Sequence, residues 1–387
     1  MPCAEKPFLQ VFRPDSFRGR YRQPPSDGYF VPVRYLFSYT MAPDPRSERF
    51  LRACRREPVD VTPIWMMRQA GRSLPAYREF RRRHSFKEVA STPELCAEVT
   101  LMPLDYFPVD AAIIFADIMT PVACLGVDYE IVEGMGPQVA DPIRTTAQVK
   151  SLAAIPPAEA VGTLFDAMRI VSERLNGEVP MIGFAGAPFT LASYLVEGRP
   201  NAELPATRAL MKDHPEVWHG LLDHMTGVLI DYMGEQVKAG VQALQLFDSW
   251  VGRLTPEEYQ EFALPYSARI FEGTAALGVP RIHFGTGTKD LLDLMASPDP
   301  EVVGIDAAVP LDEAWDRVGH DKAVQGNLDS KLMLGDPETM VKEAEEVLRR
   351  AAGRPGHIFN LGHGVLPDTP LDNLKLLVDT VHGYPDE

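Results

Sequence analysis

The sequence predicts an α/β protein, a single-domain (β/α)8 TIM barrel. Three observations predict it. Short apolar runs recur along the chain, each followed by a helical pattern, and eight such pairs can be counted. No domain boundary is visible after Met41. Polar residues stand just past the ends of the apolar runs, where a barrel carries its chemistry. On strand count alone, a doubly wound open sheet is the alternative.

The elements follow in order. Residues 1–40 hold aromatics, arginines and prolines without a clean period or an apolar signal core. They read as an extension, disordered or the product of an upstream start. Their scarcity of acids leaves a transit peptide open. Residues 41–387 are expected to form the barrel. Arg46–Arg56 reads as a short amphipathic helix with Ser47 as N-cap. Strands are expected at Ile64–Met67, Ala111–Phe115, Pro180–Phe184 and Ala243–Phe247. Four more are expected at Arg281–Phe284, Val302–Ile305, Lys322–Gln325 and His357–Asn360. Helices are expected between them at Pro93–Tyr106, Ala158–Leu175, Ala206–Ala239 and Pro256–Leu277. Further helices follow at Thr288–Ala296, Leu311–Val318, Pro337–Ala352 and Leu371–Val381. The stretch Gly126–Ile155 reads as a β-rich excursion.

Composition narrows the function classes. The 387 residues are 45% hydrophobic and 24% charged, as in a globular protein, and no run approaches a transmembrane helix. A formal net charge of −16 argues against nucleic acid or an anionic membrane as partner. Cys3, Cys54, Cys96 and Cys124 form no C-x-x-C pair, the usage of a reducing compartment such as the cytoplasm.

Against that acidity stands Pro63–Arg83, where Arg68, Arg72, Arg78, Arg81, Arg82 and Arg83 accompany a single acid, Glu79. Such a cluster asks for an anionic ligand, the alternative being a solvated helix face. Arg68 and Arg72 are four apart and on a helix would share a face able to grip two carboxylates. Arg81 falls on the inward side of the pattern, and Arg78, Arg82 and Arg83 on the solvated side. Asp117 follows four apolar residues and needs a partner, whether a ligand, an arginine or a helix end to cap. His363 lies between Gly362 and Gly364, which allow the backbone to approach a ligand closely. Ser249 lacks a nucleophile elbow, so hydrogen bonding suits it better than attack. Tyr194 is either a core tyrosine or a polar tip in the pocket. No Walker A loop, dinucleotide fingerprint or H-E-x-x-H is present, and no cysteine follows Cys124.

The segments PIWMMRQAGRSLPAYRE, FADIMTP, GFAGAPFTLASYLVEG, LQLFDSW and FNLGHGVLPDT, in this order, resemble the uroporphyrinogen decarboxylase family. The resemblance runs from about Met41 to Val381, and MRQAGR and GHGVLPDT are its specific signals. It implies a homodimeric single-domain barrel that uses no cofactor and no metal. The implied substrate is uroporphyrinogen III, whose four acetate carboxyls leave as carbon dioxide to give coproporphyrinogen III in haem and tetrapyrrole synthesis. By the resemblance, Asp117 accepts the pyrrole N–H groups and stabilises a cation. Arg68 and Arg72 bind substrate carboxylates, and Arg68 also serves in proton transfer. Gln69, Ala70 and Gly71 belong to the same substrate-binding stretch, and Tyr194, Ser249 and His363 contact carboxylates or line the pocket. Tyr77 stands where the family often has phenylalanine, and the role of Asp248 stays open. The runner-up is a methyltransferase of the same superfamily, whose zinc needs cysteines that the later strands here lack. A non-catalytic anion-binding barrel, in which Asp117 is dispensable, is the second alternative.

Overall fold

The computed structural model describes residues 46–132 and 134–385. The expectation of a disordered extension falls on residues 1–40, outside the described residues. Those that are described belong to one compact unit, Pro43–Glu387. Its strands are β1 (Ala112–Ile113), β2 (Tyr129–Val132), β3 (Gly136–Val139), β4 (Met181–Gly186), β5 (Ala243–Asp248), β6 (Arg281–Gly285), β7 (Val302–Gly304), β8 (Ala323–Leu328) and β9 (His357–Leu361).

Seven strands form one curled, all-parallel sheet in the order β1-β4-β5-β6-β7-β8-β9. Helices are interleaved with the strands, and β4, β6, β8 and β9 are buried at every position. That burial is why apolar residues dominate β4 and recur through the others, with a few buried polar residues such as His283, Gln325 and Asn360 among them. β2 and β3 pair antiparallel as a separate hairpin, and the short helix Thr146–Ser151 completes the excursion expected at Gly126–Ile155.

The first expected strand, Ile64–Met67, is not a regular strand. Only Ile64 bridges Phe359 of β9. Phe359 N–H donates to Pro63 O (2.8 Å), Trp65 N–H to Phe359 O (3.4 Å), and Asp110 N–H to Ile64 O (2.8 Å). Side chains take over the rest of the ladder: Ile64 N–H donates to Asp110 Oδ2 and Met67 N–H to Asn360 Oδ1. Thus both edges of the sheet reach this one segment. Inside the curl a buried chain crosses from it: Trp65 Nε1 donates to Gln325 Oε1 (2.9 Å), and Gln325 Nε2 to Gln245 Oε1 (3.0 Å).

Several helices are shorter than their patterns. Ala206–Ala239 divides into Pro205–Asp213 and Pro215–Lys238 because Pro215 holds His214 out of the helical region. Pro256–Leu277 divides likewise near Pro265, into Pro256–Phe262 and Leu264–Thr274. Thr288–Ala296 is helical only over Leu292–Ala296, since the Asp306 carboxylate accepts the Gly287 and Thr288 N–H groups and keeps that entry a turn. Ser47 lies inside the helix Arg46–Cys54 and is not its cap. No described helix is long and apolar enough to cross a membrane.

Candidate active site

The loop from Met67 to Leu74 carries the first group. It is a series of turns, and the helix begins only at Pro75. Arg68 and Arg72 therefore do not share a helix face. Met67 is fixed on both sides, since its N–H donates to Asn360 Oδ1 (3.1 Å) and its carbonyl accepts from Val365 N–H (2.8 Å). The chain then reverses through Arg68, whose φ of 63° is unusual for a residue with a side chain. Its exposed side chain lies over Gly364, where a Cβ would stand 2.5 Å from Arg68 Cδ. A Cβ on Gly71 would stand 2.8 Å from Arg68 O. Glycine is required at 71 because backbone approaches there, whereas at 364 the close neighbour is the movable Arg68 side chain. At Gly362 the close neighbour is likewise protein, Ala307 N.

The remaining residues of the stretch separate by environment. Gln69 is buried, its Oε1 accepting Met66 N–H (3.0 Å) and its Nε2 donating to Ala111 O (3.0 Å), so its amide ties the loop to the strand segment beside it. Ala70 and Gly71 are half-buried, and Arg72 is exposed. Arg78 donates to the carbonyls of Arg72 (2.7 Å) and Ser73 (3.0 Å), fastening the loop. The expected solvated face is thus realised by Arg82 and Arg83, both paired with Glu79. Arg81 donates to His84 O (2.7 Å) and lies over the Phe86 ring, a local engagement.

Asp117 follows β1 and is half-buried. One oxygen, Oδ1, accepts Met119 N–H (2.8 Å), and the Asp117 carbonyl accepts the Thr120 hydroxyl (2.7 Å), starting the 3-10 helix Thr120–Leu125. Oδ2 has no protein partner among the described residues. Burial raises the Asp117 pKa above the ordinary carboxylate value, opposed by the Met119 N–H and then by the Arg68 charge. The same charges act on neighbouring groups. Burial raises the Tyr194 phenol, and Asp117 and Arg68 pull it in opposite directions. Tyr129, on β2, is raised by burial and then by Asp117. His363 opens to solvent, yet desolvation by its neighbours and then the Arg68 charge hold its pKa below the ordinary value.

Arg68, Asp117, Tyr194 and His363 are therefore brought together, with Tyr129 as a fifth member that the sequence did not single out. Trp250 is a sixth, packed edge to face on Tyr194 at 5.7 Å between centroids. Ser249, beside Trp250, is half-buried; its carbonyl accepts the Thr286 hydroxyl (2.8 Å), and its own hydroxyl has no partner among the described residues. Among the described residues, no hydrogen bond or ion pair ties Ser249 or Arg72 to the cluster. Asp248 is fully buried beneath it. Among the described residues, no group of three His, Cys, Asp or Glu side chains is placed to hold a metal ion.

Fold and cluster together define a parallel α/β protein with a half-buried carboxylate held in the field of an arginine. The chain belongs to the uroporphyrinogen decarboxylase (URO-D) family, whose model matches residues 45–384. A protein of Sorangium cellulosum named uroporphyrinogen decarboxylase is 48% identical over 338 residues, 87% of this chain and 97% of that relative. One from Streptomyces coelicolor with the same name is 50% identical over 333 residues, 86% of this chain and 93% of the relative. Among solved structures, a methyltransferase from Methanosarcina mazei superposes with a TM-score of 0.72 over 88% of this chain and 98% of its own, at 20% identity. That likeness concerns the fold alone.

Proposed function

We propose that this protein is a carboxy-lyase that removes the four acetate carboxyls of uroporphyrinogen III to give coproporphyrinogen III in tetrapyrrole and haem synthesis. The observation that carries this reading is the half-buried Asp117 carboxylate, one oxygen unpartnered among the described residues, in the field of Arg68, in a chain about half identical to proteins bearing that name. The substrate presents eight carboxylates and four inward pyrrole N–H groups. Asp117 Oδ2 accepts those N–H groups, and Arg68 and Arg72 take carboxylates. Tyr194, Ser249 and His363 line the remaining wall. Gln69, Ala70 and Gly71 shape the loop that presents the two arginines.

The chemistry needs an electron sink, and the pyrrole supplies it. A proton added to the ring carbon next to the one that bears the acetate gives an iminium-like cation conjugated with the acetate-bearing carbon. The electrons of the bond to the carboxylate flow into it as carbon dioxide leaves. The exocyclic methylene formed takes a second proton to become methyl, and the ring carbon returns its proton. The net uptake is one proton per carboxylate lost. Fixed negative charge at Asp117 stabilises the cation, the type of preorganised term that dominates many active sites. Arg68 orients the carboxylate and relays the proton. No cofactor or metal enters this scheme.

The chain from about Met41 onward is proposed to form a single (β/α)8 barrel, with the Ile64 segment as the stave between β9 and β1. Its hydrogen bonds to Phe359 and Asp110 support that closure. A cytoplasmic homodimer is part of the same reading.

Anaerobic incubation with uroporphyrinogen III tests it. Hepta-, hexa-, penta- and tetracarboxylic products are expected in succession by chromatography, and a folded sample yielding none would overturn it. A subtler check is Gly364→Ala, whose added methyl displaces the Arg68 stem. KM is expected to rise about tenfold, the loss of one charge-assisted contact, with little change in Tm. An unchanged KM would remove Arg68 from substrate binding.

A further inference from the structure

Asp248 is fully buried at the end of β5. Its Oδ1 accepts the Thr190 hydroxyl (2.9 Å). Its Oδ2 has no hydrogen bond, and the group facing it is His283 Nε2 at 3.6 Å, also fully buried and also without a hydrogen bond. The other ring nitrogen, Nδ1, lies 3.0 Å from Met295 O, a carbonyl that can only accept, so Nδ1 carries a hydrogen. The carboxylate is thus held by the Thr190 hydroxyl at one oxygen, with the His283 ring packed beside the other.

Thr190 passes this constraint on. Its oxygen accepts Trp250 N–H (3.2 Å) while its hydrogen goes to Asp248. Trp250 packs edge to face on Tyr194, at an interplanar angle of 71°. Thr190 and Tyr194 lie one turn apart on the helix Pro188–Glu197. The hydroxyl therefore ties the backbone under the Trp250 ring to the helix that carries Tyr194. Burying an aspartate under a strand end is costly unless its partners are fixed. Here the fixed partners lead directly to an aromatic pair beside Arg68 and Asp117.

We propose that Asp248 and Thr190 are positioning residues, a buried relay that sets the Trp250 ring and, through it, the Tyr194 phenol at the candidate site. The proposal rests on the decarboxylase reading for its kinetic consequence and on geometry alone for its structural one. Asp248 also gains a role by it, as the support of the strand end from which Ser249 and Trp250 project.

The test compares Thr190→Val, which keeps the volume and loses the hydroxyl, with Thr190→Ser, which keeps the hydroxyl. With uroporphyrinogen III, Thr190→Val is expected to raise KM about tenfold with a smaller change in kcat, and Thr190→Ser to restore most of it. A purely structural threonine would lower Tm in both variants and leave KM of the folded fraction unchanged, which would overturn the proposal. A second readout is independent of activity. In protein labelled with 5-fluorotryptophan, the Trp250 resonance, assigned from Trp250→Phe, should shift in Thr190→Val and return in Thr190→Ser. A resonance unmoved in Thr190→Val would sink the relay even if the wild type proved inactive on this substrate.

Discussion

Asp117→Asn is expected to lower kcat by about 10²–10³-fold, the usual loss when one preorganised charge-stabilising group is removed. It is also expected to leave the unliganded protein at least as stable as the wild type at neutral pH. The sign follows from burial. The Asp117 pKa is raised in the folded state, so the folded protein binds this proton more tightly than the unfolded chain does. The contribution of this group to stability is full below the ordinary carboxylate range and declines as pH rises toward the raised value. At neutral pH the wild type bears the cost of a partly desolvated anion, and asparagine does not. Asparagine still offers an oxygen to Met119 N–H, so the local turn survives. Steady-state kinetics with thermal melts at pH 7.5 and 5 checks both halves. Full activity would remove Asp117 from catalysis. A lower Tm at neutral pH would contradict the electrostatic account.

Asp110→Ala is expected to cost about 3–5 kcal/mol of stability, as when one partner of a buried ion pair is removed. Asp110 is fully buried and its oxygens are all occupied. Oδ1 accepts Arg49 Nη1 (2.6 Å), while Oδ2 accepts Ile64 N–H (2.7 Å) and lies 2.7 Å from His382 Nε2. Alanine orphans the Ile64 N–H and leaves Arg49 with only Asp60, whose side chain is 45% exposed. The substitution joins three distant parts of the chain in one loss: the first helix, the segment that leads to Arg68 and the last helix, Leu371–Gly383. Denaturant unfolding followed by circular dichroism measures the difference. A change below about 1 kcal/mol, the range of exposed pairs, would show that this network is not a structural anchor.

The contrast between these two aspartates shows what a sequence discloses. Asp117 stands out because four apolar residues precede it and no strand would place a carboxylate there without purpose. Asp110 sits among ordinary turn residues, and its partners lie 61 and 272 positions away in the chain. The strands β4 to β9 were legible because burial makes them rich in apolar residues, with ends misplaced by a few residues at most. β8 extends to Leu328 because Asn327, which reads as a turn residue, buries its amide against the carbonyls of Asp306 and Val309. The conformation at Arg68 was not legible. The helical spacing of Arg68 and Arg72 suggested a shared face, whereas Asn360, 293 residues away from Met67, fixes a reversal instead. Gln69 looked like part of a ligand loop, but its partners Met66 and Ala111 make it a brace. Tyr129 reaches Asp117 only because the hairpin folds back, a tertiary event that no local pattern records.

The central claim is that Asp117, aided by Arg68 and without an added cofactor, drives loss of the acetate carboxyls. Carbon dioxide release from uroporphyrinogen III labelled with carbon-13 at those carboxyls measures it most directly. With extensively dialysed, chelator-treated wild-type protein under anaerobic conditions, the account expects four equivalents of labelled carbon dioxide per substrate, and under the same conditions about 1% or less of that rate from Asp117→Asn. No release from the wild type, release only after a metal or cofactor is added, or equal release from both proteins would contradict it.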